Sequence, residues 1–355
     1  MGHHGEAPRL PDPAGPRGAR KGKVCAKGRP LRGTEKRMHK SRTLRGSNSD
    51  RGNLPASRSV PNDAGGRLPL RLAISGRSGF GAGRVFGVLV VCVLLVVVAY
   101  TWGVRGMWST LQRKMIFFPA SVLTYTPADI GLPYEDVNIK TSDGVTLHGW
   151  MVPCEDAVAT LLFFHGNAGN MGDRVENVKR LHDLGLQVFI LDYRGYGRSE
   201  GRPSEQGLYE DAQAAYAHLA SRDDVDPERI AIFGRSLGGA VAVDLSSRVP
   251  CWRLILESTF SSAADVAAHM IPFLPMGRLI TERFESKSKI DKVRTPLLQF
   301  HGTQDEIVPY ELGERLFQAA REPKEFVPIR GATHNDTYLV GGRPYFERIR
   351  QFLSE

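Results

Sequence analysis

Six consecutive residues, Gly234-Arg235-Ser236-Leu237-Gly238-Gly239, set a serine between glycines two positions before and two positions after it. The apolar run Ile230-Ala231-Ile232-Phe233 precedes them and Ala240-Val241-Ala242-Val243 follows. This is the G-x-S-x-G pattern in a strand–turn–helix setting, a nucleophile elbow. The glycines permit a sharp turn and close helix packing. The serine hydroxyl then stands at a helix N-terminus, where developing negative charge is favoured. The chemistry this invites is nucleophilic acyl transfer.

A serine is a weak nucleophile until a base takes its proton and a third group orients that base. In elbow enzymes the partners follow in the order serine, acid, histidine. Downstream lie His269, His301 and His334. His334 sits in the loop Gly331-Ala332-Thr333-His334-Asn335-Asp336 after the last expected strand, and is the expected base. His301 ends a strand and His269 falls on an expected helix, positions that suit packing or hydrogen bonding. Asp305, in the loop after the strand Leu297–Phe300, is the expected acid, with Glu257 at the end of the preceding strand as its rival. An oxyanion hole needs two backbone N–H donors. Leu237, directly after the nucleophile, supplies one, and Asn167 in His165-Gly166-Asn167-Ala168-Gly169-Asn170 is nominated for the other. His165 is expected to fix that loop and Asp192 to hold a turn. A glycan at the Asn335-Asp336-Thr337 sequon is not expected beside the base.

These groups need a frame that gathers them. From about residue 115, short apolar runs alternate with amphipathic stretches. Val137–Lys140 and Leu147–Val152 read as a hairpin turning at Ser142-Asp143-Gly144. Thr160–Phe164, Gln187–Leu191, the elbow strand, Leu254–Leu256, Leu297–Phe300 and Phe326–Ile329 read as buried strands. Val175–Leu184, Leu208–Leu219 and Tyr345–Leu353 read as helices. The alternation predicts a mostly parallel sheet covered on both faces, with reactive groups at the strands' carboxyl ends.

The first 84 residues are different. There 19 Lys and Arg face 5 Asp and Glu, a net of 19 − 5 = +14, so with the whole chain at +9 the rest carries 9 − 14 = −5. Rich in Gly, Pro, Ser and Arg, it cannot bury enough surface to offset chain entropy and reads as a basic disordered tail. Such a tail can contact anionic lipid; no specific nucleic-acid partner is expected. Glu6 stands where a myristoylation signal wants Ser or Thr. Val85–Val104 then runs without a charge between Arg84 and Arg105. At about 1.5 Å per residue it matches a hydrocarbon core of roughly 30 Å. Tyr100 and Trp102 lie where interfacial aromatics belong. The run is long and lacks an A-x-A-like cleavage site, so it reads as a retained anchor in a lipid bilayer, not a removed leader. The basic tail favours a cytoplasmic N-terminus, which puts the catalytic part on the far side. The four cysteines show no metal spacing; Cys154 and Cys251 can pair with each other or stay as buried thiols. No cofactor and no metal are expected.

Several blocks carry a family resemblance: His165–Asn170, Asp192–Gly197, Gly201 with Glu205–Tyr209, Phe233–Ala242, Glu257–Phe260 and Gly331–Thr337. Over roughly residues 107–353 the chain resembles the alpha/beta-hydrolase-domain-containing protein thirteen group, also called Bem-forty-six-like proteins. The resemblance implies an α/β-hydrolase fold, one membrane anchor near the N-terminus, and a serine triad falling on Ser236, Asp305 and His334. The chain thus divides into a tail (1–84), an anchor (85–104), an entry segment (105–118) that resembles the group's link between anchor and domain, and a catalytic domain (119–355). The long tail departs from the group's pattern. The implied activity is cleavage of acyl esters or thioesters, palmitoyl-protein thioesters among them. A serine peptidase of prolyl-oligopeptidase type and a non-catalytic membrane-tethered scaffold are the alternatives. The apolar insert Met270–Met276 suits a cap over an acyl pocket as well as it suits helix packing. A domain on the far side of the membrane cannot reach cytosolic palmitoyl-cysteines, so depalmitoylation there requires the opposite orientation.

Overall fold

A computed structural model of the chain describes residues 82–273 and 275–355. Nearly all of the expected basic tail lies outside them. The described residues fall into two compact units, 82–103 and 104–355.

The first unit belongs to helix α1 (Ala82–Ile116). Its apolar part is exposed on every side, from Val85 to Val104. It is long and apolar enough to be a candidate membrane span. The expected anchor ends at Val104, yet α1 runs on through the expected entry segment to Ile116. Residues 111–115 (Leu-Gln-Arg-Lys-Met) are strong helix formers with no breaker among them. Pro119 is the first residue that forbids continuation.

In the second unit, eight strands form one sheet in the order β10-β9-β8-β7-β4-β6-β3-β2. They are β2 (Glu135–Lys140), β3 (Thr146–Val152), β4 (Thr160–Phe164), β6 (Gln187–Leu191), β7 (Ile230–Arg235), β8 (Arg253–Glu257), β9 (Leu297–Gly302) and β10 (Lys324–Ile329). Only the pairings of β3 with β2 and with β6 are antiparallel. A two-stranded parallel pair, β1 (Phe118–Pro119) with β5 (Ala168–Gly169), stands apart from this sheet. The central strands are buried on both faces and carry Leu, Ile, Val and Phe almost throughout, as parallel strands must when helices cover both sides.

Alternation sorts those side chains. Leu162, Phe189, Ile232 and Leu256 face one core with α3 (Glu205–Ala220) and α4 (Leu237–Ser246). Phe163, Ile190, Phe233 and Phe300 face the other with α2 (Val175–His182) and α9 (Thr337–Phe352). The remaining helices are α5 (Ala263–Met270), α6 (Met276–Leu279), α7 (Lys287–Ile290) and α8 (Tyr310–Ala319).

Helix ends differ from the sequence reading for local reasons. α3 begins three residues before Leu208 because the Ser204 side chain accepts the Gly207 N–H and caps it. α9 begins at Thr337, well before Tyr345, and kinks at Gly342 (φ 52°, ψ −142°). Gly341-Gly342-Arg343-Pro344 reads as a stop signal, but the kink absorbs it. Cys251 is a free thiol within reach of Thr295, so the pair with Cys154 is not formed.

Candidate active site

β7 leads into a turn at Ser236, and α4 starts at the next residue. Ser236 has φ 53° and ψ −116°, a region that costs a non-glycine residue about 1–3 kcal/mol. Its surroundings hold it there. The Ser236 N–H donates to the Glu257 carbonyl (2.9 Å), and the Ser236 carbonyl accepts from Thr259 Oγ1 (2.8 Å) and the Gly239 N–H (2.9 Å). Close approach explains the flanking glycines. A Cβ on Gly238 would lie 2.0 Å from the Phe164 carbonyl oxygen, and one on Gly234 would lie 2.4 Å from that of Gly238. The helix can therefore rise directly from the end of the strand.

Ser236 Oγ lies 3.0 Å from His334 Nε2. His334 Nδ1 lies 2.8 and 3.0 Å from the two carboxylate oxygens of Asp305. The three residues follow β7, β10 and β9 at the carboxyl edge of the sheet, as a parallel sheet positions groups from distant segments. All three are buried. Asp305 is fixed from below, its Oδ1 accepting the Ile307 (3.0 Å) and Val308 (2.7 Å) N–H groups. Burial alone would raise its pKa. Hydrogen bonds from His301 and His334, the charge of His334 and the Val308 N–H outweigh burial and hold the carboxyl well below the usual range.

The other candidates take supporting positions. His301 Nε2 donates to the Val308 carbonyl (2.9 Å) and sits 3.4 Å from Asp305. His269 is exposed on α5. Glu257 is fully buried, paired with Arg235 Nε (2.8 Å) and accepting from the Tyr345 hydroxyl. His165 lies 3.3 Å from Asp192, whose Oδ1 accepts the Met171 N–H (2.8 Å). Asn335 Oδ1 accepts from Arg235 and Thr337 is buried. Among the described residues no three His, Cys, Asp or Glu side chains converge as a metal site.

Leu237 is the first residue of α4, so its N–H has no acceptor within the helix and stands beside the serine. The second nominated donor lies in the loop after β4. A Cβ on Gly166 would come within 3.6 Å of Ser236 Cβ, which puts this loop alongside the nucleophile. Asn167 is anchored through its side chain. It accepts from the Tyr196 hydroxyl (2.9 Å) and donates to the carbonyl of Ile116, the last residue of α1. β1 pairs with the same loop, and Asn170 Nδ2 donates to the Ala120 (3.1 Å) and Val122 (2.7 Å) carbonyls. The segment leaving α1 is thus a strap that holds the loop next to Ser236.

Two supporting features were not anticipated from sequence. One is the strap. The other is Arg235, whose Nη2 donates to the His334 carbonyl (2.7 Å) while Nε grips Glu257. Arg235 occupies an unrestricted position of the elbow pattern, and its partners are remote in sequence, so no local signal marks it.

A parallel sheet with an elbow serine, a histidine and an aspartate at its carboxyl edge defines an α/β hydrolase. The family model "Serine aminopeptidase, S33" matches residues 155–287. An uncharacterized protein of Mycobacterium tuberculosis is 43% identical over 265 residues, covering 74% of this chain and 94% of that protein. Alpha/beta hydrolase domain-containing protein WAV2 of Arabidopsis thaliana is 38% identical, covering 76% of this chain and 92% of that one. Protein bem46 of Schizosaccharomyces pombe is also 38% identical, covering 65% and 80%. The chain belongs to the Bem46-like α/β-hydrolase family. Among solved structures, an esterase of Pyrococcus furiosus superposes with a TM-score of 0.58 at 22% identity, covering 67% of this chain and 97% of that one. The α/β hydrolase GrgF of Penicillium superposes at 0.55 with 20% identity, covering 63% and 98%. At these identities the likeness is one of fold.

Proposed function

We propose that this α/β hydrolase is a membrane-anchored serine hydrolase that cleaves acyl esters or thioesters. The observation that carries the reading is the continuous hydrogen-bonded line from Ser236 through His334 to Asp305. In this reading His334 Nε2 takes the Ser236 proton as Oγ attacks the acyl carbonyl. The tetrahedral oxyanion is received by the N–H groups of Leu237 and Asn167, with the α4 N-terminus adding its favourable dipole. As the carbonyl re-forms, the bond to the alcohol or thiol breaks, and His334 returns the proton to that leaving group. Water, deprotonated by His334, then attacks the acyl-enzyme, and Ser236 leaves with its proton restored. Asp305 stays ionised throughout, holding Nδ1–H and stabilising the imidazolium. Val85–Val104 anchors the chain in the bilayer with the N-terminus cytoplasmic, and the basic tail contacts anionic lipid.

The match to the serine aminopeptidase model favours a second reading, a peptidase with the same three residues. A panel of p-nitrophenyl acyl esters, acyl thioesters and peptide amides, run on the full chain and on Ser236→Ala, separates the two. The proposal expects serine-dependent turnover of the esters or thioesters at least tenfold above the amides. Serine-dependent turnover of the amides alone would overturn it. Protease protection of the intact chain in sealed vesicles tests the orientation, with the catalytic domain expected on the side opposite the N-terminus.

A further inference from the structure

α1 is longer than a crossing requires. Its 35 residues reach about 52 Å at 1.5 Å each, against a hydrocarbon core of roughly 30 Å. Residues 105–116 are therefore surplus to the span. One side docks onto the domain. Trp108 Nε1 (3.2 Å) and Gln112 Nε2 (2.6 Å) both donate to the Leu279 carbonyl, and Gln112 Oε1 accepts from the Thr281 N–H and hydroxyl (2.8 Å each). Beside this docked row lie Met107, Leu111 and Met115, exposed and spaced four residues apart, which is one stripe of a helix. Phe118 of the strap continues it. Leu279 ends α6, and the α5–α6 hairpin exposes Met270 (65%), the last residue of α5, and Phe273 (83%).

We propose that this stripe, the strap and the α5–α6 connection form a rim that rests in the lipid interface, a second attachment to the bilayer beyond the span. Large apolar side chains clustered on a surface mark a contact site. Here the occupant follows from continuity: the stripe lies on the same helix as the candidate span and begins where that span ends. Arg105, Lys114 and Arg278 flank it, exposed, as cations flank the apolar face of an interfacial helix. The rim has a chemical consequence, which rests on the hydrolase reading. The strap is bonded to the loop beside Ser236, and the proposal extends to acyl chains reaching the serine from the lipid phase along it.

The test uses the full chain in vesicles of phosphatidylcholine and phosphatidylglycerol that carry a diazirine-labelled phosphatidylcholine. After illumination, cross-linked peptides are mapped by mass spectrometry. The rim predicts lipid adducts on peptides covering 105–118 and 263–279 in addition to 85–104. Adducts confined to 85–104 overturn it. Met270→Asp with Phe273→Asp should remove the adducts at 263–279 and keep those at 85–104. In the same vesicles the double variant should hydrolyse a bilayer-resident long-chain ester at least tenfold more slowly, with turnover of soluble p-nitrophenyl acetate within twofold. Equal losses on both esters contradict lipid-phase entry. If neither ester turns over, the hydrolase reading fails while the adducts still decide the rim.

Discussion

Ser236 sits in a backbone conformation it would not choose, and its neighbours are arranged to keep it there. Replacing it with alanine removes the hydroxyl and keeps the turn. Ser236→Ala should therefore lose about 10⁴-fold or more in kcat with an unchanged melting temperature. A fall in melting temperature of more than a few degrees would mean that the hydroxyl supports the fold. Asp305 gives a second residue-scale prediction. Its native pKa is held below the unfolded value of about 3.9. Its stabilisation is therefore present in full above that value and is lost as pH falls through the native pKa. In urea titrations, the stability gap between the wild type and Asp305→Asn should persist from pH 7 to about 5 and close only below about 4. A gap already closed at pH 5 contradicts the depressed pKa. At this scale the sequence was informative because the elbow pattern fixes backbone as well as chemistry. Glycines at 234 and 238 are the only residues the close contacts with α4 and β4 tolerate. Arg235 was illegible because its role depends on Glu257 and His334, brought near by the sheet alone.

Elements do their work here through their ends. β7, β9 and β10 deliver the three candidate residues to one edge. Arg235 then ties the end of β7 to β8 and to the loop after β10. Arg235→Met leaves Glu257 buried with its charge unpaired, which costs about 3–5 kcal/mol. Adding Glu257→Gln should recover most of that stability. Turnover should stay about tenfold or more down in the double variant, because the His334 loop has lost its tie and misplacement of this kind is costly. If the double variant regains both stability and kcat, Arg235 serves the fold alone. The strap makes a parallel prediction. Asn167→Ala frees the loop from Ile116 and Tyr196, and should lower kcat with little change in KM, read from Michaelis curves on a short-chain ester. A change in KM alone would assign Asn167 to substrate binding. Buried strands such as Thr160–Phe164 and Gln187–Leu191 were legible to the residue because their apolar runs are bounded by polar or turn residues. The β1–β5 pair was not, since two residues carry no period. α8 was not anticipated either, although Leu312, Leu316 and Phe317 recur at helical spacing on its buried face.

The described residues of the molecule comprise three parts: a long apolar helix, a strap, and a sheet whose carboxyl edge carries the candidate site. Composition made the apolar run and the negative catalytic part readable. It could not show that the helix continues into the domain's own packing, because that depends on Gln112 meeting Leu279 and Thr281, more than 160 residues away. On the proposed function, Ser236 is a nucleophile activated where it stands. The most direct measurement is intact-protein and peptide mass spectrometry after brief exposure of the folded full chain to a fluorophosphonate. One adduct per chain is expected, located on Ser236 and abolished in His334→Ala. A folded chain that takes up no label, or takes it on another serine with Ser236 unmodified, would contradict it.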